Sequence, residues 1–442
     1  MTINAKLASQ NDVTVTPEFG TSVISGRAPR ILYIAEACAL TVANGSNLRY
    51  LNILRALQQI GSVEVVAVSD PAVPDPVLES ERGITIADCL ETQRRPNVGL
   101  VAKLRWTFDP KYDYPRGYGV TDKALARIVR YAKEFDLVWF FKHRCVGLFP
   151  HRTWGRSVLD IDDVLSTYES AALRASGSLL ERLSALRRMV SWRRKERLLG
   201  TTFTVLSVCS PEDKQYLLRL GVDAPIHVIP NGFDKPATEP VRRPTTPPRI
   251  GFIGFLEYLP NFQGITWFAQ KCWPLIKREL PDARLRLVGG GTDGPLKPLG
   301  PDIDALGWLA DPADEIQSWS VMAVPIFMGA GTRVKIACGF SQKCPIVSTT
   351  LGAHGYGAVS GRELYLADSP EAFSQACIKA IREPEKAALI AQRGWQGFLE
   401  NWTWDAVRPR VWAAVGECLR ADRENRLGIS GEIDSRKTIR SY

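Results

Sequence analysis

The segment Gly329-Ala330-Gly331-Thr332-Arg333-Val334-Lys335 combines a flexible turn with two cationic side chains. A glycine-bearing turn that opens a helix presents unpaired backbone N–H groups and the positive end of the helix dipole. Fixed donors of this kind, reinforced by Arg333 and Lys335, stabilise negatively charged oxygens such as those of a diphosphate. The segment predicts a diphosphate-binding loop. The alternative is an ordinary helix start whose basic side chains face water.

Two further segments have both a chemical and a structural interpretation. The carboxylates of Asp160-Ile161-Asp162-Asp163 follow an apolar run and could hold Mg²⁺ or Mn²⁺, or Asp163 could cap a helix or face a cleft. The run Gly289-Gly290-Gly291 lets the backbone approach a nucleotide closely, with Gly290 as the candidate contact. The same run also suits a plain turn after a strand.

Alternating strands and helices must position these residues. Ile31 to Ala35 reads as a buried strand, a turn at 43–46 and a leucine-rich helix follow, and Val63 to Val68 is the next strand. This order begins a parallel α/β sheet, whose ligands lie beyond the carboxyl ends of its strands. Further strands of the same sheet are predicted at 135–141, 158–161, 205–208 and 226–229.

A proline-rich segment separates this series from a second one. Residues 236–248 carry too many prolines for an interior helix or a central strand, so we interpret them as a linker. Beyond it we predict strands at 249–254, 284–288, 305–306, 322–326 and 346–348, a helix at 262–280 and a closing helix from 403. The predicted units are a flexible N-terminal segment 1–28, a first domain 29–235, the linker 236–248, a second domain 249–402, the closing helix 403–421 and a flexible tail 422–442.

Composition restricts the class of protein. The 442 residues carry a formal net charge of +9, which favours an anionic partner such as a nucleotide, a phosphorylated lipid surface or a nucleic acid. The nine cysteines are scattered singly, without the spacing of a zinc site, and favour a reducing cytosol. The first residues lack the pattern of a signal peptide, and no run of eighteen apolar residues occurs. We therefore expect a cytoplasmic protein.

Four stretches follow one another in a characteristic order: Val158 to Leu165, Ile229 to Asp234, Leu287 to Gly291, and Gly329 to Lys335 running on to 345–353. Together they resemble the family 4 type of glycosyltransferase with the GT-B fold. The resemblance extends from Arg30 to about Val415. It implies an α/β protein of two Rossmann-like, doubly wound domains that face each other across a cleft.

The resemblance also implies a function. The second domain would bind a nucleotide-diphosphate sugar, and the first would present an acceptor sugar, glycan or lipid-linked sugar. Transfer would proceed with retention, without a metal or another cofactor, so the Asp160–Asp163 carboxylates would not be a metal site. Arg333 and Lys335 would hold the diphosphate, and the donor contacts would come from Gly45, Gly290, Gly329, Gly331, Thr332 and Cys338.

The sequence departs from the family pattern at two donor-site carboxylates. Ala330 and Cys338 stand where many relatives carry glutamates that bind the sugar hydroxyls and the ribose. A thiol cannot accept two charge-assisted hydrogen bonds from a ribose diol. Either Ser341, Gln342 or a backbone carbonyl holds the ribose, or the donor site has decayed. His354 also replaces an expected acidic residue, and either touches the donor or is an ordinary loop histidine.

Candidates on the acceptor side are His143 and Gly45. His143 follows the predicted strand 135–141 and lies near a position at which family members carry a histidine that lines the reaction centre. It could polarise a hydroxyl there. The alternative is an ordinary loop histidine. Gly45 lies in the first strand-to-helix turn, where relatives approach the donor phosphates or the acceptor.

A basic helical segment with interspersed leucines, Leu179 to Arg197, suggests peripheral contact with an anionic membrane. Its apolar residues could equally belong to the core. Nucleic-acid binding is not expected, since the basic residues lack a recognition motif with interleaved aromatics. Other hypotheses for the whole chain are a nucleotide-sugar epimerase or hydrolase, and a non-catalytic binding protein derived from a transferase.

Overall fold

The computed structural model describes residues 27–36, 45–68, 86–94, 99–111, 118–175, 177–294 and 300–421. The predicted tail 422–442, and the predicted flexible segment except for residues 27 and 28, lie outside these ranges.

A seven-stranded parallel sheet organises the first part of the chain. Its strands and those of a small antiparallel pair are β1 (Arg30–Glu36), β2 (Ser62–Val68), β3 (Ile86–Leu90), β4 (Thr92–Arg94), β5 (Tyr118–Val120), β6 (Leu137–Phe141), β7 (Ser157–Asp160), β8 (Val205–Val208) and β9 (Ile226–Val228). The order in the sheet is β3-β2-β1-β6-β7-β8-β9, and β4 pairs with β5. Every residue of β6, β7 and β8 is buried, which explains the continuous apolar run of β6.

Helices cover both faces of this sheet. They are α1 (Gly45–Gln58), α2 (Leu100–Phe108), α3 (Asp122–Tyr131), α4 (His143–Val146), α5 (Leu165–Ala175), α6 (Leu179–Arg197), α7 (Leu199–Thr202) and α8 (Pro211–Arg219). Successive residues of β1 point to opposite faces: Ile31 and Tyr33 join a core with α1, whereas Leu32 and Ile34 join a core with α3. The sheet is therefore doubly wound.

The second part of the chain repeats this plan. Its strands are β10 (Arg249–Ile253), β11 (Arg284–Val288), β12 (Ile303–Ala305), β13 (Val321–Val324), β14 (Ile346–Ser348) and β15 (Tyr365–Leu366), in the parallel order β12-β11-β10-β13-β14-β15. Its helices are α9 (Leu259–Trp267), α10 (Trp273–Glu279), α11 (Ala313–Ser318), α12 (Val334–Ser341), α13 (Pro370–Arg382) and α14 (Pro384–Asn401). A π-helical turn, Phe268–Cys272, joins α9 to α10, so the helix predicted at 262–280 is interrupted. The predicted class, α/β with two Rossmann-like doubly wound sheets, is confirmed.

The closing helix returns to the first sheet. α15 (Trp404–Arg420) buries Val407 and Val411 in the core that contains α1 and β1. The indole Nε1 of Trp412 donates to the carbonyl of Ala56 at 2.8 Å. The chain therefore connects the two sheets twice, through the proline-rich segment and again just before α15.

A buried guanidinium ties the first domain together at the cleft-side edge of its sheet. Arg49, on α1, donates to both carboxylate oxygens of Asp160, at 3.0 Å from Nε and 2.6 Å from Nη2. Its Nη1 donates to the carbonyl of Ile229 at 2.8 Å and to Asn231 Oδ1 at 3.2 Å. Both charged side chains are almost wholly buried. Helix α1, strand β7 and the segment after β9 are thus held by one residue.

We predict that Arg49→Met lowers the free energy of unfolding by about 3–5 kcal/mol, since it leaves the Asp160 carboxylate buried without a counter-charge. Urea unfolding measures this loss. The control is Arg382→Met, which removes an exposed pair with Glu279 and should cost less than about 1 kcal/mol. Equal losses in the two variants would contradict a special role for Arg49.

Candidate functional site

The predicted diphosphate loop lies between β13 and α12 and faces the first domain. Gly329 and Gly331 adopt φ values of 127° and 69°, which favour glycine. A Cβ on Gly329 would lie 2.8 Å from Arg333 Nη2, and one on Gly331 would lie 2.4 Å from Asp163 Oδ1 of the first domain. The two glycines therefore allow the guanidinium to fold back over the loop and the opposite domain to approach it.

Arg333 precedes the first residue of α12 and is buried. Its Nη1 donates to the loop carbonyls of Ala330 and Gly331, the latter at 2.8 Å. Within the described residues, its buried Nη2 has no hydrogen-bond partner. A desolvated, unpaired guanidinium N–H is costly unless an acceptor reaches it, and an anionic oxygen is the strongest acceptor.

Lys335, two residues further along the chain, is the second residue of α12. Its Nζ donates to Asn261 Oδ1 at 2.7 Å and lies 4.2 Å from the centre of the Phe252 ring. Burial, together with the nearby charge of Arg333, lowers the pKa of Lys335 to about 7. A bound anion would favour the charged ammonium.

The other glycine candidate, Gly290, lies against the Phe255 ring, where a Cβ would come within 2.9 Å of Cδ1. It follows β11, and its carbonyl accepts from the N–H of Leu256 at 3.0 Å. The carboxyl ends of β10, β11 and β13 thus meet around Arg333, Lys335 and Gly290, as expected for a ligand site of a parallel sheet. A direct donor contact by Gly290 stays a prediction.

Thr332 and Cys338 occupy different surroundings. Thr332 is buried, packs against Gly355, and has no hydrogen-bond partner for Oγ1 among the described residues. Cys338 lies in an apolar cluster with Phe340 and Ile346, and burial raises its thiol pKa to about 12. A neutral thiol in that cluster is a weak partner for a ribose.

The two alternative ribose partners already have bonds within the chain. Ser341 is fully buried and donates to the carbonyl of Cys338 at 2.8 Å. Gln342 Oε1 accepts from Gln317 Nε2 at 2.9 Å. These bonds already engage Ser341 and Gln342, so a backbone carbonyl is the remaining ribose partner of those that the sequence suggested.

The first domain contributes Asp163 to the same region. Asp162, one residue earlier, has a φ of 57°, and the turn directs Asp163 towards Gly331. Although burial alone would raise it, Lys142 and Arg49 hold the pKa of Asp162 at about 2. Asp160 and Asp162 are therefore paired with cations, and the described residues contain no group of three or more His, Cys, Asp or Glu suited to a metal ion.

A second contact between the domains involves His354. Its Nε2 lies 3.3 Å from Ser210 Oγ and 3.6 Å from Asp213 Oδ1, both at the start of α8. The hydrogen bond with Asp213 raises the pKa of His354. Sequence reasoning missed Ser210 and Asp213 as cleft residues. Their sequence has the pattern of a helix cap, in which Ser210 Oγ accepts from the Asp213 N–H. That pattern does not indicate a partner across the cleft.

His143 and Gly45 both lie at strand-to-helix junctions. His143 follows β6, is buried, and packs edge-on against Trp192 with ring centres 5.2 Å apart. It lines a cavity between α4, α6 and α7. Gly45 is the first residue of α1, and the turn before it lies outside the described residues. The acceptor and donor roles of these two residues stay predictions.

Comparisons with known proteins agree with this geometry. Residues 247–383 match the family of group 1 glycosyl transferases. A 44.6 kDa protein from the cps region of Klebsiella pneumoniae, itself uncharacterised, is 22% identical over 305 residues, which cover 64% of this chain and 75% of that protein.

Two solved structures have the same fold. Sucrose-phosphate synthase from Thermosynechococcus elongatus superposes with a TM-score of 0.63 at 16% identity, covering 89% of this chain and 100% of the other. Anabaena HepE in complex with UDP and glucose superposes with a TM-score of 0.57 at 15% identity, covering 88% and 99%. The match at 247–383 contains the Gly329 to Lys335 loop, so this part of the chain is similar to the group 1 glycosyl transferases, and the superpositions show that the chain has the GT-B fold.

Proposed function

We propose that the chain moves a sugar from a nucleotide-diphosphate donor to an acceptor hydroxyl, with retention and without a metal. The observation that carries this proposal is the pair of cations at the carboxyl edge of the second sheet. Arg333 has a buried, unbonded Nη2, and Lys335 has a pKa lowered to about 7. Both features are relieved by a diphosphate.

In this mechanism the diphosphate lies between Arg333, Lys335 and the N-terminus of α12. As the bond between the sugar and the diphosphate breaks, negative charge grows on the leaving oxygen, and the two cations lower the energy of that state. They supply the positive charge that a metal ion supplies in other transferases. HepE, which has this fold, was solved with UDP and glucose, and that supports a nucleotide-sugar donor.

The acceptor would enter from the first domain. Asp163 approaches Gly331 across the cleft and would border the sugar that is transferred. The retaining course rests on the resemblance to family 4, and the anomeric configuration of the first product, read by NMR, tests it. Release of free sugar without any acceptor would favour a hydrolase.

Calorimetric titration of UDP, GDP and ADP tests the donor site. We expect one nucleotide to bind equally well with and without Mg²⁺, and Arg333→Ala to weaken it by about 1–3 kcal/mol, the value of a charged hydrogen bond. The control, Arg362→Ala, removes an exposed arginine elsewhere in the second domain. Failure of all three nucleotides to bind would instead indicate a degenerate, non-catalytic relative.

Domain closure would depend on pH through His354. Asp213 and Glu212 favour its protonated form and Arg333 opposes it, with a net rise in pKa. Because the pKa is raised in the closed form, the contact is fully stabilising below the ordinary value of about 6.5 and is lost as pH rises through the raised pKa.

We predict that the UDP complex has a smaller radius of gyration at about pH 6 than at about pH 8, on either side of the histidine pKa. Small-angle X-ray scattering measures this difference. His354→Gln should abolish the difference. His227→Gln is the matched control, because His227 pairs with Glu417 at 2.6 Å without joining the two sheets. An unchanged pH response in His354→Gln would contradict the role of this contact.

An exposed apolar face lies on α2 and α6 of the first domain. The two helices are joined by a hydrogen bond from Ser191 Oγ to the carbonyl of Trp106 at 2.8 Å and by edge-on packing of Trp106 on Trp192. Eight large apolar side chains on the pair are 41–79% exposed: Leu100, Val101, Leu104, Phe108, Leu179, Leu180, Leu183 and Leu186. Contiguous exposed apolar area of this kind marks an interaction surface.

We propose that this face lies on an anionic membrane during catalysis. Helix α6 also carries Arg187, Arg188, Arg193 and Arg194, and the chain has a net charge of +9, so anionic lipid is the complementary occupant. None of the described helices is long and apolar enough to cross a bilayer. The contact would be peripheral.

Co-sedimentation with vesicles tests this contact. We expect the protein to sediment at low salt with vesicles containing phosphatidylglycerol but not with phosphatidylcholine alone, and Leu179→Ser with Leu180→Ser to reduce binding. Leu389→Ser, which changes an exposed leucine on α14, is the control. Loss of a dimer rather than of vesicle binding in the double variant would assign the face to a second copy of the chain.

A further inference from the structure

A cavity of about 70 Å³ lies in the first domain beside His143, two residues after β6. Its walls come from α4 and the loop after it, from the last turns of α6, from α7, and from Pro110 just after α2. A space of about 10–15 Å³ on this measure holds one water, so a group of several heavy atoms fits.

The polar lining of this cavity is basic. His143, His151, Arg152 and Lys195 line it, and its described lining includes no aspartate or glutamate. The remaining walls are mostly apolar and aromatic, with Phe149, Trp154, Trp192 and Phe203 among them. Walls of this kind strengthen the interaction between the cations and an anion, because few waters screen it.

Arg152 is the side chain that most clearly lacks a ligand. Its guanidinium lies over the Trp154 ring, 4.9 Å from the centre. Its buried Nε has no hydrogen-bond partner in the part of the chain that the structure describes. Burial without a counter-charge lowers the pKa of Arg152. An anionic oxygen in the cavity would satisfy the donor and the charge together.

We propose that this cavity binds a phosphate group, and, resting on the proposed function, that the phosphate belongs to the acceptor. The cavity reaches His143 at the carboxyl end of β6. The next residue back, Lys142, pairs with Asp162 at 3.1 Å, beside the Asp163 that approaches the donor loop. A phosphorylated acceptor held here would place its sugar near the cleft.

The cavity also adjoins the exposed apolar face. Trp192 and Lys195 lie on α6, and Pro110 follows α2, so the phosphate of a lipid head group or that of a soluble sugar phosphate could reach it from that side. The two sources share the phosphate chemistry that the cavity recognises.

Calorimetric titration of inorganic phosphate tests the site. The protein is saturated with UDP, so that the donor loop does not compete. We expect Arg152→Gln to raise the dissociation constant of phosphate about tenfold or more, as expected on losing a charged donor. His151→Gln, at the exposed mouth of the cavity, should raise it less. Arg197→Gln is the control, since Arg197 lies on α6, which contributes Lys195 to the cavity, but is itself outside the lining and donates to the carbonyl of Leu220.

The outcomes separate this inference from the donor site. Phosphate affinity that is equal in the wild type and Arg152→Gln, or heat that is absent in both, overturns it even if UDP binds normally. If UDP fails to bind, the comparison of Arg152→Gln with Arg197→Gln still decides whether the cavity takes phosphate. Thermal melting confirms that each variant is folded.

Competition identifies the source of the phosphate. Displacement of bound phosphate by glycerol phosphate supports a soluble phosphorylated acceptor. Displacement only by vesicles that contain phosphatidic acid supports a lipid head group. Displacement by neither overturns the acceptor role.

Discussion

The cleft depends on the burial of one positive charge, that of Arg49. A guanidinium removed from water needs a carboxylate and further acceptors, and Asp160, the Ile229 carbonyl and Asn231 provide them. These bonds join α1 to β7 and to the start of the connection between the domains. They also fix the chain just before Asp163, so the position of that carboxylate opposite Gly331 follows from them.

Two glycines, which have no Cβ atom, determine how closely the two domains approach each other. Gly331 leaves room for Asp163, and Gly355 leaves room for Ser210 and Thr332, since a Cβ at either glycine would lie within 2.4 Å of a neighbouring atom. The contacts are made by backbone against side-chain tips, where little can be rearranged. His354 adds a charge-dependent bond to this otherwise steric fit. The contact between the two domains therefore has a fixed geometry, and its strength depends on the protonation of His354.

The sequence predicted what is local and missed what is distant. Strand β6 was predicted because both of its faces are buried, which leaves an unbroken apolar run from Leu137 to Phe141. The loop from Gly329 to Lys335 was identified as a candidate site because its glycines and cations are adjacent in the sequence. The pairing of His354 with Ser210 joins residues 144 positions apart, and no periodicity reports such a contact. The orientation of the Cys338 side chain could not be predicted either. Six residues of α12 are buried, so no polar stripe shows which side of the helix faces outwards.

The distribution of partners for the cations shows where negative charge is missing. In the first domain, Arg49 and Lys142 are paired with Asp160 and Asp162, so their charge is already compensated. In the second, the described bonds of Arg333 and Lys335 go to carbonyl and amide oxygens, which carry no net charge. Burying two cations without a counter-charge is unfavourable, and a ligand with two negative groups would compensate both. Among the described residues, the charge of Arg152 is likewise not compensated. An anion bound there would lie in the first domain, across the cleft from the anion at Arg333 and Lys335.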